Sequence, residues 1–371
     1  MPIRPHFFDL DPSELRRHFH DLAIPSYRAN QLTQWVYRRG VSDIHEMTDV
    51  SRVHQERIAE HLRILDGRVH QHQLASDGVQ KLLLSWGADA QRATSPLSIN
   101  RQTECVMIPT GGPQHPRTTA CVSSQIGCPV GCRFCASGIG GKQSDLRAGQ
   151  IVEQVWQLGQ LDGVERISHV VFMGMGEPLA NFDQVVRAVR ILMADWGFGL
   201  SGRRITVSTV GLPTPIRRLA DLQLPITLAI SLHASNDRIR RDLIPWAEHV
   251  TIEQLVEAGR YYFEKTGREV TLEYILLGQV NDEAIHAREL ARIAEQLRCH
   301  INLIRYNEVK SLPFSRPATE RVLRFQSVLR EKGVNTHIRA SRGRDIAAAC
   351  GQLRLDHQST RSARSLKPEL Q

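Results

Sequence analysis

The first part of the chain carries apolar residues at helical spacing. Leu15, Phe19 and Leu22 recur every three or four positions, and Leu32 and Trp35 continue the pattern further on. This periodicity predicts helices over about residues 13–65. Their polar faces are rich in Arg and His, which is typical of a solvated surface and also of one that docks nucleic acid.

Between residues 78 and 109 the pattern changes to short β-type runs. The runs VQKLLLSW and ECVMIP are separated by a polar stretch. They predict a small β-hairpin or linker that leads into the main domain.

From about residue 118 the chain alternates between strand-like runs and amphipathic helical segments. Strands are predicted at 118–124, 167–173, 204–209, 226–232, 270–277 and 301–306. Helices are predicted at 149–161, 182–196, 212–222, 252–265, 282–297 and 318–332, and the run VNTHIRA follows the last of them. Repeated strand-then-helix units indicate an α/β fold with a parallel sheet and right-handed crossovers, either open or closed into a barrel.

Composition and charge narrow the class of protein. The chain has 371 residues with an ordinary globular composition, and 47 Lys and Arg against 39 Asp and Glu give a net charge of +8. This basic excess favours a polyanionic partner. We expect neither a signal peptide nor a membrane span, because residues 1–30 carry charges without a long apolar run and no apolar run in the sequence approaches 18 residues. We expect a cytoplasmic protein without membrane association, because its seven cysteines, three of them tightly grouped, are typical of metal or redox chemistry in a reducing compartment.

Three cysteines lie within eight residues, in the run CPVGCRFC. Cys128, Cys132 and Cys135 are the candidate ligands, and no fourth cysteine follows them within a plausible ligating distance. Four thiolates would close a structural zinc site or a cluster, whereas three leave one metal position open. The spacing therefore predicts a reactive metal site, with a three-cysteine zinc site completed by an outside ligand as the alternative.

Small and polar residues follow the other predicted strands. The motifs are GMGEP after the second strand, STVG after the third, SLHA after the fourth and RYN after the sixth. In α/β barrels the loops at the carboxyl ends of the strands share one face and build the active site. We expect these motifs to meet the cysteines on that rim.

The cysteine spacing at the end of a strand, followed by a Gly-Glu motif after the next strand, resembles the radical S-adenosylmethionine (SAM) enzymes. The motifs ACVSSQIGC, GMGEPL, ISLHASND, LIRYN and RGRDIAAACGQL together resemble the RlmN/Cfr family of radical SAM RNA methyltransferases. The similarity runs from about residue 26 to 353. It implies a partial (β/α)6 barrel at 118–353, an N-terminal helical RNA-binding domain at 1–75 and a β-hairpin linker at 76–117. Residues 354–371 are polar and basic with few apolar positions, which predicts a disordered tail.

The resemblance also implies roles for individual residues. Cys128, Cys132 and Cys135 would hold one [4Fe–4S] cluster whose open iron binds SAM. The implied SAM contacts are Gly176, Glu177, Ser208, Ser231, Leu232, His233 and Asn307. The implied catalytic residues are Cys350, Cys121 and Glu104, with Glu104 as the proton acceptor. We expect Cys350 to lie at the start of a helix of small residues that follows Asp345.

In this family SAM is used twice in each turnover. A first SAM methylates the thiolate of Cys350, which the ordinary cysteine pKa of about 8.5 places within reach of neutral pH. A second SAM, cleaved at the cluster, yields a radical that removes hydrogen from this S-methyl group. The resulting methylene radical adds to an adenine carbon, and Cys121 then attacks the Cys350 sulfur to release the product as a disulfide forms.

The resemblance implies an RNA partner and an electron donor such as flavodoxin or ferredoxin. The expected substrate is an adenosine of 23S rRNA, methylated at carbon 2, with the tRNA adenosine next to the anticodon left open as a second substrate. Carbon 8, the Cfr-type position, is the alternative. Both reactions need the same two cysteines, so the motifs do not distinguish the two positions. A non-methylating radical SAM enzyme and an iron–sulfur or zinc RNA-binding module are the alternatives of other classes.

Two segments depart from the family pattern. The stretch GGKQSDL at 140–146 lacks the family's usual Phe or Leu and Asn after the cluster, and the segment 89–103 is longer than the usual hairpin. These two departures affect the predicted substrate contacts more than the predicted reaction type, because neither of them involves the cysteines.

Overall fold

The computed structural model describes residues 4–87, 101–111 and 117–353, which form a central sheet flanked by helices. The strands are β1 Gly67–Leu74, β2 Gln80–Trp86, β3 Gln102–Thr110, β4 Arg117–Cys121, β5 Gln125–Gly127, β6 Lys142–Asp145, β7 His169–Phe172, β8 Ile205–Thr209, β9 Thr227–Ser231, β10 Val270–Leu276, β11 Cys299–Arg305 and β12 Thr336–Arg339. The helices are α1 Pro12–Asp21, α2 Arg28–Arg39, α3 Arg52–His61, α4 Ala148–Gly159, α5 Phe182–Met193, α6 Pro213–Asp221, α7 Asp237–Leu243, α8 Ile252–Thr266, α9 Ala284–Ala294 and α10 Thr319–Glu331.

Ten of these strands form one sheet in the order β1-β2-β3-β4-β7-β8-β9-β10-β11-β12. Strands β1 to β4 pair antiparallel, and from β4 onward every neighbour is parallel. The parallel strands point their carboxyl ends to one side. The expected α/β fold with six strand–helix repeats is confirmed.

The structure adds elements that the sequence pattern did not predict. The run VNTHIRA provides a further parallel strand, β12, which pairs with β11. Strand β1 lies ahead of the predicted β runs and extends the hairpin to three strands with β2 and β3. Helix α7 begins after Asn236, whose side chain accepts a hydrogen bond from the Ile239 amide. The predicted tail at 354–371 and most of the 89–103 segment lie outside the described residues.

The segment before Cys350 was expected to begin a helix, and that expectation is wrong. Residues 341–353 form consecutive turns. Gly343 and Ala347 both have positive φ, at 61° and 50°. A right-handed helix cannot continue through this left-handed region, so the chain folds back on itself around Cys350.

The N-terminal helices pack tightly on helix α4. Glu153 of α4 is fully buried and accepts hydrogen bonds from the amides of Asp66 and Gly67, both at 2.9 Å. Nε2 of His6 lies 3.0 Å from the same carboxylate, and the Trp156 indole donates to the Val36 carbonyl. One continuous apolar core therefore joins the N-terminal segment to the sheet. Among the described residues, none of the helices is both long and apolar enough to cross a membrane.

Replacing Glu153 with Ala should destabilise the fold by about 3 kcal/mol, because two amides would lose their buried acceptor. The measurement is the free energy of unfolding, or the melting temperature where unfolding is not two-state. Glu153→Gln, which keeps one acceptor oxygen, should lose less. Glu165→Ala, at an exposed position, is the control. A Glu153→Ala protein as stable as this control would show that the contact does not hold the N-terminal helices in place.

Candidate active site

A cavity of about 850 Å³, counted with the solvent space at its mouth, opens at the carboxyl ends of the parallel strands. All three grouped cysteines line it. Of the predicted SAM contacts, the cavity wall includes Gly176, Glu177, Ser208, Ser231 and His233. The cysteine loop and the motifs after the second, third and fourth predicted strands therefore meet in one cavity.

The cysteine-bearing loop is held by its own backbone and by an apolar cluster. The Cys128 amide donates to the Gly141 carbonyl at 3.2 Å, and the Cys135 amide donates to the Cys132 carbonyl at 3.0 Å. Val130 and Phe134 turn inward and pack with buried residues below the loop. The loop thus buries its apolar residues and faces its sulfurs to the cavity.

Burial raises the pKa of all three thiols. The pKa of Cys128 rises to about 12, and the pKa of Cys132 lies well above its usual range because neighbouring Cys135 and Cys128 add to burial. The backbone amides of Val130 and Gly131 donate to the Cys128 sulfur and partly offset the rise. Three crowded thiols become thiolates together only when a metal supplies the compensating charge.

The donor set fits an iron–sulfur cluster. Each of the three thiolates in such a cluster binds its own iron, so the sulfurs need not converge on one point. In the part of the chain that the structure describes, no three His, Cys, Asp or Glu side chains converge to hold one ion. Buried sulfurs, amide donors and an adjoining cavity are the surroundings that a cluster with one open iron requires.

The GMGE motif lies against the start of the cysteine loop. The Met175 amide donates to Oγ of Ser123 at 2.9 Å, and the Glu177 amide donates to Oε1 of Gln125 at 2.8 Å. Gly176 has a φ of +103°, and a Cβ there would lie 2.7 Å from Cβ of Gln125. Only glycine permits this approach of the two segments.

The carboxylate of Glu177 joins two loops of the rim. It accepts from the Val210 amide at 2.7 Å and from the Leu179 amide at 3.0 Å. Burial raises its pKa to about 7 even though these hydrogen bonds favour the charged form. The side chain therefore stabilises the cavity wall, and the backbone of the GMGE motif remains available to contact a ligand.

Two serines and a histidine line the opposite wall. The hydroxyls of Ser208 and Ser231 lie 3.2 Å apart. Nδ1 of His233 accepts from the Ile275 amide at 3.1 Å, and burial lowers the pKa of this ring to about 3. The ring is therefore neutral, with its proton on Nε2 as a donor. This wall offers hydroxyl and imidazole groups to a polar ligand.

Arg240 is a buried charge below the site that the sequence analysis did not single out. It is only 1% exposed and donates to the carbonyls of Val210 and Val250. Burial lowers its pKa to about 10, while Asp237 and Cys132 raise it. A retained guanidinium here would offset negative charge at the cysteines.

Cys350 and Cys121 are neighbours, although 229 positions separate them in the chain. Cys121 ends β4, and its pKa rises to about 12 through burial and then through the adjacent Cys350. The Gly351 carbonyl accepts from the Ala136 amide at 2.7 Å, which ties the Cys350 turn to the cluster loop. The structure thus places Cys350 in the cavity wall, while Cys121 lies buried close to it and does not line the cavity.

Arg339 is a site residue that the sequence analysis missed. It ends β12 and lies beside Cys350, Glu273 and Cys121. Burial lowers its pKa, but these negative neighbours outweigh burial and raise it overall. Its Nη1 lies 3.5 Å from Oε2 of Glu273. Its position at the end of a rim strand was the available signal, but VNTHIRA was not assigned as a strand.

A second cavity of about 760 Å³ adjoins the first. The two share Ile304, Arg339 and Cys350 as wall residues. Asn307, a predicted SAM contact, lines this second cavity and does not line the first. Cys350 therefore stands between the cavity with the grouped cysteines and a separate cavity.

Two further predicted residues lie away from both cavities. Leu232 is buried in the main core, and only its backbone lies near the rim. Glu104 on β3 is fully buried, with Oε1 3.1 Å from Nζ of Lys81. Lys81 also donates to the Ala347 carbonyl, so this ion pair lies under the Cys350 turn.

Comparisons with known proteins agree with this site. Residues 122–291 match the radical SAM superfamily model, and residues 6–64 match that of the ribosomal RNA large subunit methyltransferase N-terminal domain. A protein of Gloeobacter violaceus, named probable dual-specificity RNA methyltransferase RlmN, is 44% identical over 341 residues, 92% of each chain. A ribosomal RNA large subunit methyltransferase N of Nitrosopumilus maritimus is 40% identical and covers 94% of this chain and 98% of its own.

A solved structure shows the same architecture. The crystal structure of a radical SAM methyltransferase from Sphaerobacter thermophilus superimposes with a TM-score of 0.87 at 40% identity. The match covers 94% of this chain and 98% of that chain.

Cys135→Ala should abolish cluster assembly, since only two of the three grouped thiolates would remain to bind iron. Iron and sulfide content after anaerobic reconstitution is the measurement, together with the visible absorption of the cluster. Cys299→Ala is the matched control, because Cys299 lies on β11 outside the cavity wall. Equal iron content in the two variants would contradict the assignment.

Proposed function

Because the chain belongs to the RlmN family of radical SAM RNA methyltransferases, we propose that it methylates carbon 2 of an adenosine in 23S rRNA. Each turnover uses two SAM molecules, passes through S-methylated Cys350 and ends in a transient disulfide with Cys121. The observation that carries this proposal is the position of Cys350 on the wall between two cavities.

Cys128, Cys132 and Cys135 would hold the cluster, and Gly176, Ser208, Ser231 and His233 would contact SAM in the first cavity. When bound, the [4Fe–4S] cluster supplies the electron that cleaves SAM. Glu177 also lines this cavity, and its carboxylate would support the wall because backbone amides engage it. Leu232 and Asn307 remain predicted SAM contacts from family resemblance alone.

Cys350 is the methyl carrier. Its thiolate displaces the methyl group of the first SAM, which leaves as S-adenosylhomocysteine while a carbon–sulfur bond forms. The S-methyl group then loses a hydrogen atom to the radical derived from the second SAM. The methylene group formed at Cys350 can reach a base in the second cavity without leaving the first.

The adenine would bind through the second cavity and become tethered to Cys350. The adduct would return one electron to the cluster held by the three grouped cysteines, and the proton on carbon 2 would go to Glu104, the proposed acceptor. The burial of Glu104 beside Lys81 under the Cys350 turn supports a role near this site, since an exposed hairpin carboxylate would only be solvated.

Cys121 releases the product. Its thiolate attacks the Cys350 sulfur, the carbon–sulfur bond breaks, and the methylene carbon takes a proton to become the methyl group. The disulfide then takes two electrons from an external reductant before the next turnover. At neutral pH Cys121 is a neutral thiol because of burial, and Arg339 partly offsets this by favouring the thiolate.

The partners follow from the same chemistry. An electron donor such as flavodoxin or ferredoxin would reduce the cluster, and tRNA beside the anticodon is a second candidate substrate. We assign the helices of the N-terminal segment to RNA binding and place the protein in the cytoplasm, where its RNA and reducing partners are found.

A strain lacking this protein should lose 2-methyladenosine from its 23S rRNA, because the proposed carbon-2 methylation would have no other catalyst there. Mass spectrometry of nucleosides from purified 23S rRNA and tRNA is the measurement. Loss of 8-methyladenosine instead would assign the Cfr-type position. Loss from tRNA as well would establish the second substrate, and unchanged nucleosides in both RNAs would overturn the proposal.

Cys121→Ala should trap a covalent protein–RNA adduct through Cys350, because the tether could form but not resolve. The adduct can be measured by denaturing electrophoresis and by mass spectrometry of the Cys350 peptide. The double variant Cys121→Ala with Cys350→Ala should form no adduct. Normal turnover by Cys121→Ala would rule out the two-cysteine mechanism.

A further inference from the structure

Four arginines gather around the mouth of the second cavity. Arg305 ends β11, Arg316 lies in the loop that follows, and Arg342 and Arg344 lie in the turns before Cys350. Arg342 is itself part of the cavity wall. Three separate segments of the chain thus bring positive charge to one place.

Arg316 lies close enough to Arg344 and Arg305 for their positive charges to act on it. Burial lowers the pKa of Arg316, and the charges of Arg344 and Arg305 lower it further. Arg316 is fixed in place, since its Nη1 donates to the Tyr306 carbonyl at 2.8 Å and to Oδ1 of Asn307 at 3.1 Å. Arg305 is fixed by a bond from Nε to the Pro317 carbonyl.

Carboxylates do not neutralise this group. Among the described residues, none of the four arginines has a carboxylate oxygen within ion-pair distance. Three nearby acids bond to backbone amides instead: Oε1 of Glu308 accepts from the Arg316 amide, Oδ2 of Asp345 from the Ser76 amide, and Oδ2 of Asp77 from the Gly343 amide. Glu308 reduces the repulsion at Arg316 without cancelling it. The surface keeps a net positive charge.

We propose that Arg305, Arg316, Arg342 and Arg344 form a phosphate-binding surface that holds the RNA backbone across the mouth of the second cavity. Here the inference rests on the proposed function, which supplies RNA as the ligand. Guanidinium forks match phosphate oxygens, and phosphate contacts fix the position of a nucleic acid without reading its sequence. A strand held here would present one base to Cys350.

The exposed pair provides the test. Arg342 and Arg344 are exposed, and neither side chain has a hydrogen bond or ion pair within the described ranges that substitution would break. The matched control is the pair Arg203 and Arg298, also exposed, which precede β8 and β11 at the opposite end of the parallel strands. Arg298 thus directly precedes the amino end of β11, and Arg305 lies at the carboxyl end of the same strand.

The measurement is binding of the cluster-loaded protein to a 23S rRNA transcript, over a series of salt concentrations. Arg342→Ala with Arg344→Ala should weaken binding roughly tenfold at low salt and reduce the salt slope by about 1 for each arginine removed. Arg203→Ala with Arg298→Ala should leave both values unchanged. Arg342→Lys with Arg344→Lys should restore most of the slope, because lysine keeps the charge.

Iron content and melting temperature should match the wild type in every variant, which separates lost RNA contacts from lost folding. Equal salt slopes for the Arg342/Arg344 variant and its control would contradict the proposed phosphate-binding surface but would not affect the proposed reaction. A wild-type protein that neither binds the transcript nor methylates it would overturn the proposed function and this inference together.

Discussion

The site depends on the parallel pairing of one set of strands in the main sheet, namely β4, β7, β8, β9, β10, β11 and β12. Parallel strands place all their carboxyl ends on one side, so the loops that follow them must meet there. This arrangement brings the cluster loop, the GMGE motif and His233 to one cavity although they are far apart in the chain. The antiparallel strands β1 to β3 extend the same sheet and add Glu104 and Lys81 to the buried layer near Cys350.

The turns around Cys350 are the second structural requirement. Positive φ at Gly343 and Ala347 turns the chain back, and the bond between Gly351 and Ala136 anchors it to the cluster loop. This conformation puts one thiol between two cavities. A helix at this position, as first expected, would have directed the chain along its axis and would not have formed this shared wall.

Charge is distributed unevenly around the site. Below the cluster loop, Arg240 is a single buried cation surrounded by carbonyls, and at the cavity edge Arg339 faces two thiols and Glu273. Outside, the four arginines around the second cavity lack carboxylate partners in the described part of the chain. The inner cations favour negative sulfur, whereas the outer ones are suited to a polyanion that comes from solution.

The sequence by itself determined the fold class, the strand–helix order and the grouped cysteines, because periodicity and local spacing are properties of short segments. It did not reveal β12, whose run THIR has one apolar residue, and so it missed Arg339. Family resemblance, not periodicity, singled out Cys121 and Cys350. Only the tertiary structure decided that these two thiols adjoin, that Asn307 faces the second cavity and that Glu104 is buried. These facts depend on contacts between residues up to 269 positions apart, such as the bond between Ser76 and Asp345, which no local pattern encodes.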